Sequence, residues 1–322
     1  MKYFGRIFLV VASFYCLLFI SCERDEMYET PQQVDSLAVF TLMSADSPCV
    51  VITSDSIFVK GKPLTSSQKI QFDIKVSKTG YWSLTTDTAN DFFFSGKGNF
   101  IDTGRKTITL TASGTPIIAG TEYFSITAGN TRRSIAVPVI KTDIIEELVP
   151  LTSYFKAKIG GVDNYVEAPK QGPDDITYGR GGVDTVSFAS FINNINQATP
   201  GSVTIQKGMV YNYPNITEAE FKAFFKPGGY PFVLSRCTNI YFAGITIIWG
   251  QPQTNEIWHT ANPTSDQRGS SFTIVGVEDG HNSKGNYFVK VKSTFNCRLY
   301  NIRTGEMKEL TNGEMVSYFF KN

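Results

Sequence analysis

The chain has 322 residues, 42% of them apolar and 13% aromatic, with 30 basic and 29 acidic side chains for a formal charge of +1. Such a composition can build hydrophobic cores and excludes a disordered or fibrous chain, while the near-neutral charge excludes a nucleic-acid partner, which needs a concentrated basic face. At roughly 100 to 200 residues per domain, the length predicts two domains.

In chain order the first element is an export signal. Lys2 and Arg6 precede a nearly unbroken apolar run from Ile7 to Ile20, and small or apolar residues lead to Cys22. A positive end, an apolar segment and small residues before a cut are the parts of a signal peptide. A spanning helix needs about 20 apolar residues, more than this run offers, and the run ends in acid instead of a basic stop-transfer cluster. Residues 1–21 therefore read as a signal peptide, and losing Lys2 and Arg6 with it takes the formal charge from +1 to −1.

Phe19-Ile20-Ser21-Cys22 resembles the lipobox of bacterial lipoproteins. The resemblance implies that Cys22 becomes the first mature residue and carries acyl chains, which hold a protein on a membrane at about 0.8 kcal/mol per buried methylene. Glu23, Asp25 and Glu26 resemble the acidic export tag of Bacteroidota lipoproteins, with Arg24 interrupting it. The implied address is the outer membrane, facing the cell exterior, with the chain tethered by lipid. Cys49, Cys237 and Cys297 then remain; a Cys237–Cys297 disulfide and buried free thiols are both open.

Residues 22–34 form the lipidated cysteine and a polar linker, and period-two alternation follows. "KIQFDIKVSK" at 69–78 sets Ile70, Phe72, Ile74 and Val76 on one face and Lys69, Gln71, Asp73 and Lys75 on the other, the pattern of a half-buried strand. "KTITLTA" at 106–112 does the same with Ile108, Leu110 and Ala112, and Trp82 is expected inside the same core. Gly, Asp, Asn and Ser clusters at short spacing separate such runs, so residues 35–141 read as an immunoglobulin-like β-sandwich.

Charges around Ile144, Ile145 and Leu148, followed by Pro150, mark a junction. Residues 142–322 are expected to be a second β-sandwich, jelly-roll-like, with alternation in "SVTIQKG", "GITIIWG", "SFTIVGV" and "YFVKVKSTF". Its one helix is announced by Thr217 and Glu220, a capping box. Phe221, Phe224 and Phe225 supply the apolar stripe that plugs the sandwich end, and Pro227-Gly228-Gly229 stops the helix. Three terminal strands, roughly 295–302, 306–311 and 314–320, are expected around Thr304-Gly305 and Asn312-Gly313, because Asn-Gly favours the positive φ of a tight hairpin.

"GYWSLTTDTANDFFFSGKGNF" and the run to residue 127 resemble the N-terminal modules of uncharacterised Bacteroidota surface lipoproteins. "FKAKIGG", "FFKPGGYPF", "RGSSFTIVGV" and "STFNCRLYN" resemble their C-terminal module. The resemblance implies an all-β, surface-located protein and brings no catalytic residues. Four Asp-Ser/Thr-apolar triplets, beginning at Asp35, Asp55, Asp87 and Asp184, resemble O-glycosylation acceptor sites of exported Bacteroidota proteins.

Catalytic equipment is sparse. His259 and His281 are the only histidines, His281 in the hydrophilic hairpin tip "EDGHNSKGN", and no G-x-S-x-G elbow accompanies them. No H-E-x-x-H, paired cysteines or calcium loop points to a metal, although Asp174, Asp175 and Asp279 are loop carboxylates, and no phosphate-binding loop points to a cofactor. The reading is of a non-catalytic protein, with a paired-carboxylate glycoside hydrolase held as the enzyme alternative.

Sugar rings stack on exposed aromatic faces while nearby amides and carboxylates read their hydroxyls. Trp249 and Trp258 bracket a stretch containing Gln253, Asn255 and Glu256, and Tyr230 lies in a Pro/Gly-rich loop. These six residues are the candidate ligand site, against the plainer reading that Trp249 ends a core strand and Trp258 anchors a loop. The functional expectation is a lipid-anchored surface binding protein that captures glycans; the alternative is a fimbrillin-like adhesion subunit partnered by other surface proteins through edge strands.

Overall fold

Strand by strand, the alternating pattern becomes a dry face and a wet one. A computed structural model describes residues 36–43, 57–141, 146–150, 152–167, 178–181, 185–194, 201–233, 244–251, 254–261 and 265–321. The signal peptide, Cys22, the linker, Cys49, Cys237, Gln253, Asp174, Asp175, Asp184, Asp35, Asp55, Ile144 and Ile145 lie outside the described residues. The fold is all-β, with two β-sandwich-like modules and one short α-helix.

The N-terminal module is built from β1 (Val39–Leu42), β2 (Phe58–Val59), β3 (Lys69–Lys78), β4 (Gly80–Thr85), β5 (Phe92–Phe100), β6 (Gly104–Gly114), β7 (Gly120–Ala128) and β8 (Thr131–Ile140). Among the described residues they form a five-stranded sheet, β1-β3-β6-β5-β4, and a three-stranded sheet, β2-β8-β7. Ile70, Ile74, Val76, Ile108, Leu110 and Ala112 are buried between them, with their polar neighbours facing outward. Phe58, Phe92, Phe94 and Phe124 close the centre with ring centroids 4.7–5.8 Å apart. Trp82 is buried and stacks on Phe100 at 5.5 Å. Each such aromatic contact adds about 0.5–1.5 kcal/mol to area burial.

The C-terminal module contains β9 (Tyr154–Ile159), β10 (Val162–Glu167), β11 (Tyr178–Gly181), β12 (Thr185–Asn194), β13 (Gly201–Tyr211), β14 (Gly228–Gly229), β15 (Ile245–Gln251), β16 (Glu256–His259), β17 (Ser271–His281), β18 (Tyr287–Asn301) and β19 (Met307–Lys321). All belong to one sheet, so its two layers come from a single sheet curled on itself. The turning strand is β18. Its first part pairs with β17, Trp258 and His259 of β16 pair with its last two residues, and β19 follows it along the other side. Across the enclosed core, Ile205 and Ile245 face Phe272, Val291 and Phe319.

The helix, α1 (Glu218–Phe224), is capped as the sequence predicts. Thr217 N–H donates to Glu220 Oε2 at 2.7 Å, and Glu220 N–H donates to Thr217 Oγ1 at 3.2 Å. Phe221 and Phe225 are fully buried, with ring centroids 5.0 Å from Phe188 and 4.5 Å from Phe319 respectively. The helix thus closes one end of the core.

One turn assignment is corrected. Asn312-Gly313 makes no hairpin but a bulge inside the continuous strand β19, where the register shifts against both β18 and β9. Asn312 takes the left-handed conformation (φ 53°), and a Cβ on Gly313 would lie 2.4 Å from Phe295 Cδ2 and 2.7 Å from its carbonyl oxygen. The dipeptide serves the bend of the strand, which requires the same backbone freedom as a hairpin.

The two modules share one compact unit, Ser36–Asn322. Thr121 N–H donates to Ser270 O at 2.6 Å, and Gly269 N–H donates to Thr121 O at 3.0 Å. Beside this contact the buried Gln267 uses its amide fully: Nε2 donates to Thr260 O and Arg298 O, and Oε1 accepts from Ser270 Oγ and Arg298 N–H. The junction also packs on β17, where Glu147 N–H donates to Val275 O and Val149 is buried.

Gly313→Ala is expected to lower stability by about 1–3 kcal/mol, because neither the Phe295 ring nor its backbone has room to yield. A lower urea midpoint at unchanged slope checks this.

Candidate functional site

Of the six residues nominated from sequence, the five that are described, Trp249, Trp258, Asn255, Glu256 and Tyr230, do not form an exposed platform. Trp249 and Trp258 are cross-strand partners on β15 and β16, and both point into the core, Trp258 with 0% exposure. Lys308 Nζ lies 4.0 Å from the Trp258 ring centroid, and Trp258 Nε1–H donates to Glu256 Oε2 at 3.4 Å. No indole face is left for a sugar, which corrects the stacking role for both tryptophans. Glu256 is occupied by that bond, and Asn255 is exposed at the β15–β16 turn with φ 53°. Tyr230 is half-buried elsewhere, its hydroxyl donating to Lys226 O at 2.6 Å.

The other titratable candidates are structural. His259 Nδ1 accepts from Ala261 N–H at 2.8 Å, and burial lowers its pKa. His281 is exposed, 3.0 Å from Glu218 Oε1. Asp279 is held below the usual carboxylate range by the hydrogen bond from Lys222, 2.7 Å away. Cys297 is a free buried thiol whose pKa burial pushes up. Among the described residues, no group of three or more His, Cys, Asp or Glu could hold a metal ion, and no helix is long and apolar enough to cross a membrane.

Two other places carry chemistry. The first is the outer face of the β9–β10 hairpin. Gly160 and Gly161 take positive φ (55° and 84°) in its turn, and the register sets Tyr154, Lys156 and Lys158 against Glu167, Tyr165 and Asp163. Phe155, Ala157, Ile159 and Val166 occupy the inner face, so this set points outward. The Tyr154 and Tyr165 rings stack at 6.2 Å with 27° between planes, and Tyr165 is 52% exposed. Tyr165 donates to Glu167 Oε2 at 2.9 Å, and Tyr154 donates to the Glu314 carboxylate. Lys156 Nζ is 3.1 Å from Glu314 Oε1. Burial pushes the Glu314 carboxyl up, but the bonds from Tyr154 and Lys156 and the charges of Lys156 and Lys292 bring it below its ordinary value.

The second is Lys207 on β13. It follows Val203 and Ile205 at the inward parity and is 5% exposed. Its Nζ lies 3.6 Å from the Phe224 ring centroid, 4.3 Å from that of Tyr230 and 6.0 Å from that of Phe225. It lines a pocket with Ile205, Phe225, Val291, Ser293 and Ser317. Among the described residues no carboxylate pairs with it. Burial, and then the charge of Lys226, lower its pKa to about 7. The rings attract the ammonium by about 2 kcal/mol when desolvated, while an unpaired buried charge costs several, so burial outweighs them.

Both places carried a sequence signal. In "YFKAKIGGVDNYVE" the alternation that buries Phe155 and Ala157 also turns both tyrosines outward, and in "SVTIQKG" the apolar parity ends on a lysine.

No family model and no curated protein matches the chain. Among solved structures it is similar to a multidomain protein including DUF1735 from Bacteroides ovatus, at 8% identity over 86% of this chain and 94% of that one, with a TM-score of 0.23. It is also similar to a protein of unknown function from Bacteroides ovatus, at 7% identity over 87% and 94% of the two chains, with a TM-score of 0.22.

Because a lowered lysine pKa means that the unfolded chain binds the extra proton, stability is expected to rise from pH 7, the folded value, to pH 10.5, the ordinary one. Tyr230, whose hydroxyl burial pushes up, and Lys226 also act on the amine, so the comparison is with Lys207→Met. That variant should lack the rise and exceed the wild type by about 1–4 kcal/mol at pH 6. Urea denaturation across pH checks both.

Proposed function

We propose that the protein is a lipid-anchored binding protein of the outer cell surface that captures glycans without acting on them. The observation that carries the ligand class is the stacked, outward Tyr154–Tyr165 pair with Glu167, Glu314 and Lys156 beside it. Apolar sugar C–H faces stack on such rings, and carboxylates and ammonium groups bond the hydroxyls. The anchor rests on the lipobox resemblance at Cys22 and the acidic residues after it.

A second reading, an adhesion subunit, is favoured by β10. It ends the order of its sheet, so among the described residues its outer edge pairs with no strand and is available for strand addition.

A glycan array probed with the purified protein is expected to give polysaccharide binding that Tyr165→Ala weakens at least about tenfold. No binding, or equal binding by the variant, would overturn the glycan reading, and laddering on gels would support the adhesion reading. Cys22→Ala is expected to abolish radiolabelled palmitate incorporation; an unmodified thiol in the native protein would sink the anchor.

A further inference from the structure

On the lipid-anchor reading the tether enters the N-terminal module at Ser36, and the surface around that entry is apolar. Tyr81 N–H donates to Ser36 O at 3.0 Å and Ala38 N–H donates to Tyr81 O at 2.9 Å, which sets Leu37 beside Tyr81. Val39 follows Leu37 on the same side by the two-residue period. A Cβ on Gly80 would stand 2.1 Å from Ser36 O, and Gly80 pairs with Phe100 across β4 and β5, so Ile101 in the β5–β6 turn lies at the same end. Beneath, the rings of Phe40, Trp82 and Phe100 pack on one another. Outside, Ile101 is 88% and Leu37 74% exposed, with Val39 and Tyr81 exposed beside them. Single exposed apolar side chains are ordinary, whereas several around one point mark an interaction surface.

Three features select what covers it. The first is reach: at about 3.6 Å per residue at most, the 14 residue steps from Cys22 to Ser36 span no more than about 50 Å, so acyl groups on Cys22 hold this end beside a bilayer at high local concentration. The second is orientation. The C-terminal module joins the other end, past Gly114 of β6, where Thr121 bonds Ser270 and Gly269, and the eleven residues of β6 set the two ends about 35 Å apart. The third is charge. Arg105 bonds Asp73 and Lys106 pairs with Asp102, while among the described residues no carboxylate pairs with the exposed Lys75 and Lys78. Apolar side chains rimmed by spare ammonium groups suit the boundary of an anionic bilayer.

We propose that this end of the N-terminal module rests on an anionic bilayer surface, with Ile101 and Leu37 entering the boundary between headgroups and acyl chains, Tyr81 at headgroup level, and Lys75 and Lys78 on lipid phosphates. The proposal rests on the lipid-anchor reading: the acyl groups supply durable attachment, and the surface fixes how the protein stands. The C-terminal module, with the Tyr154–Tyr165 pair, is then the part carried away from the membrane.

The test uses the acylated protein isolated from its own membrane and reconstituted into vesicles of phosphatidylcholine and phosphatidylglycerol whose acyl chains carry bromine, a short-range quencher of tryptophan. Trp82, Trp249 and Trp258 are buried and should keep their emission. Ile101→Trp is expected to lose at least about half of the emission it adds, since an indole at that depth meets the acyl chains. A second readout needs no added tryptophan. From detergent to vesicles, the acetylation of Lys78 relative to Lys284, which is exposed on the C-terminal module, should fall at least about fivefold, and Leu37→Ser with Ile101→Ser should restore it without releasing the protein. Flotation of the vesicles reports the anchor separately. Protein that floats with an unquenched Ile101→Trp, or with an unchanged Lys78 ratio, overturns the surface and leaves the anchor standing; protein that does not float overturns both.

Discussion

A sheet that folds back over itself must keep one face dry along its whole path, and here that demand falls on β18 and β19. These fifteen-residue strands pair with each other over nearly their full length while β18 passes from β17 to β16. The passage needs bulges, because a straight ladder cannot change layer. They stand at Ile274/Gly276, Phe295/Cys297 and Thr311/Glu314, and two glycines make them possible. Gly313 leaves room for the Phe295 ring. Gly276 lets the junction segment cross, since a Cβ there would lie 2.3 Å from Glu147 O. Large apolar residues then meet inside: Phe295 stacks between Phe155, at 6.2 Å, and Phe272, at 5.6 Å.

The same closure decides where chemistry can occur. Inward positions become dry, so the tryptophans that would suit a sugar platform serve as core, and Trp258 is held by Glu256 and covered by Lys308. Outward positions on the β9–β10 hairpin keep their tyrosines available. Lys207 is a cation at an inward position, and the aromatic end of α1 is arranged around it. Its burial costs stability, and such costs concentrate where a protein uses a group.

Much of the fold was legible in the residues. Alternation located β3 and β6, because each strand has one face on the core, and the Thr217–Glu220 box located α1, because capping is local. Asn312-Gly313 misled because a hairpin turn and a bulge ask the same backbone freedom of the same residues, and only the partner strand separates them. The tryptophans misled for a related reason. Residue type marks an aromatic as able to stack, but burial of Trp258 depends on pairing with Trp249 and on Lys308, fifty residues away. That one sheet forms both layers is likewise a property of long-range pairing. Lys207 and the Tyr154–Tyr165 pair were within reach of the period-two count carried through to each strand's end.

The dryness of the inward face is the claim on which both the fold and its pockets rest, and the amine of Lys207 reports on it from inside. Its side-chain nitrogen can be followed by NMR in protein labelled at lysine with ¹⁵N, titrated from pH 5 to 11. A midpoint near 7, well below the ordinary lysine value of 10.5, is the result this account requires. A midpoint at the ordinary value would place that nitrogen in water and contradict the closure of the sheet over it.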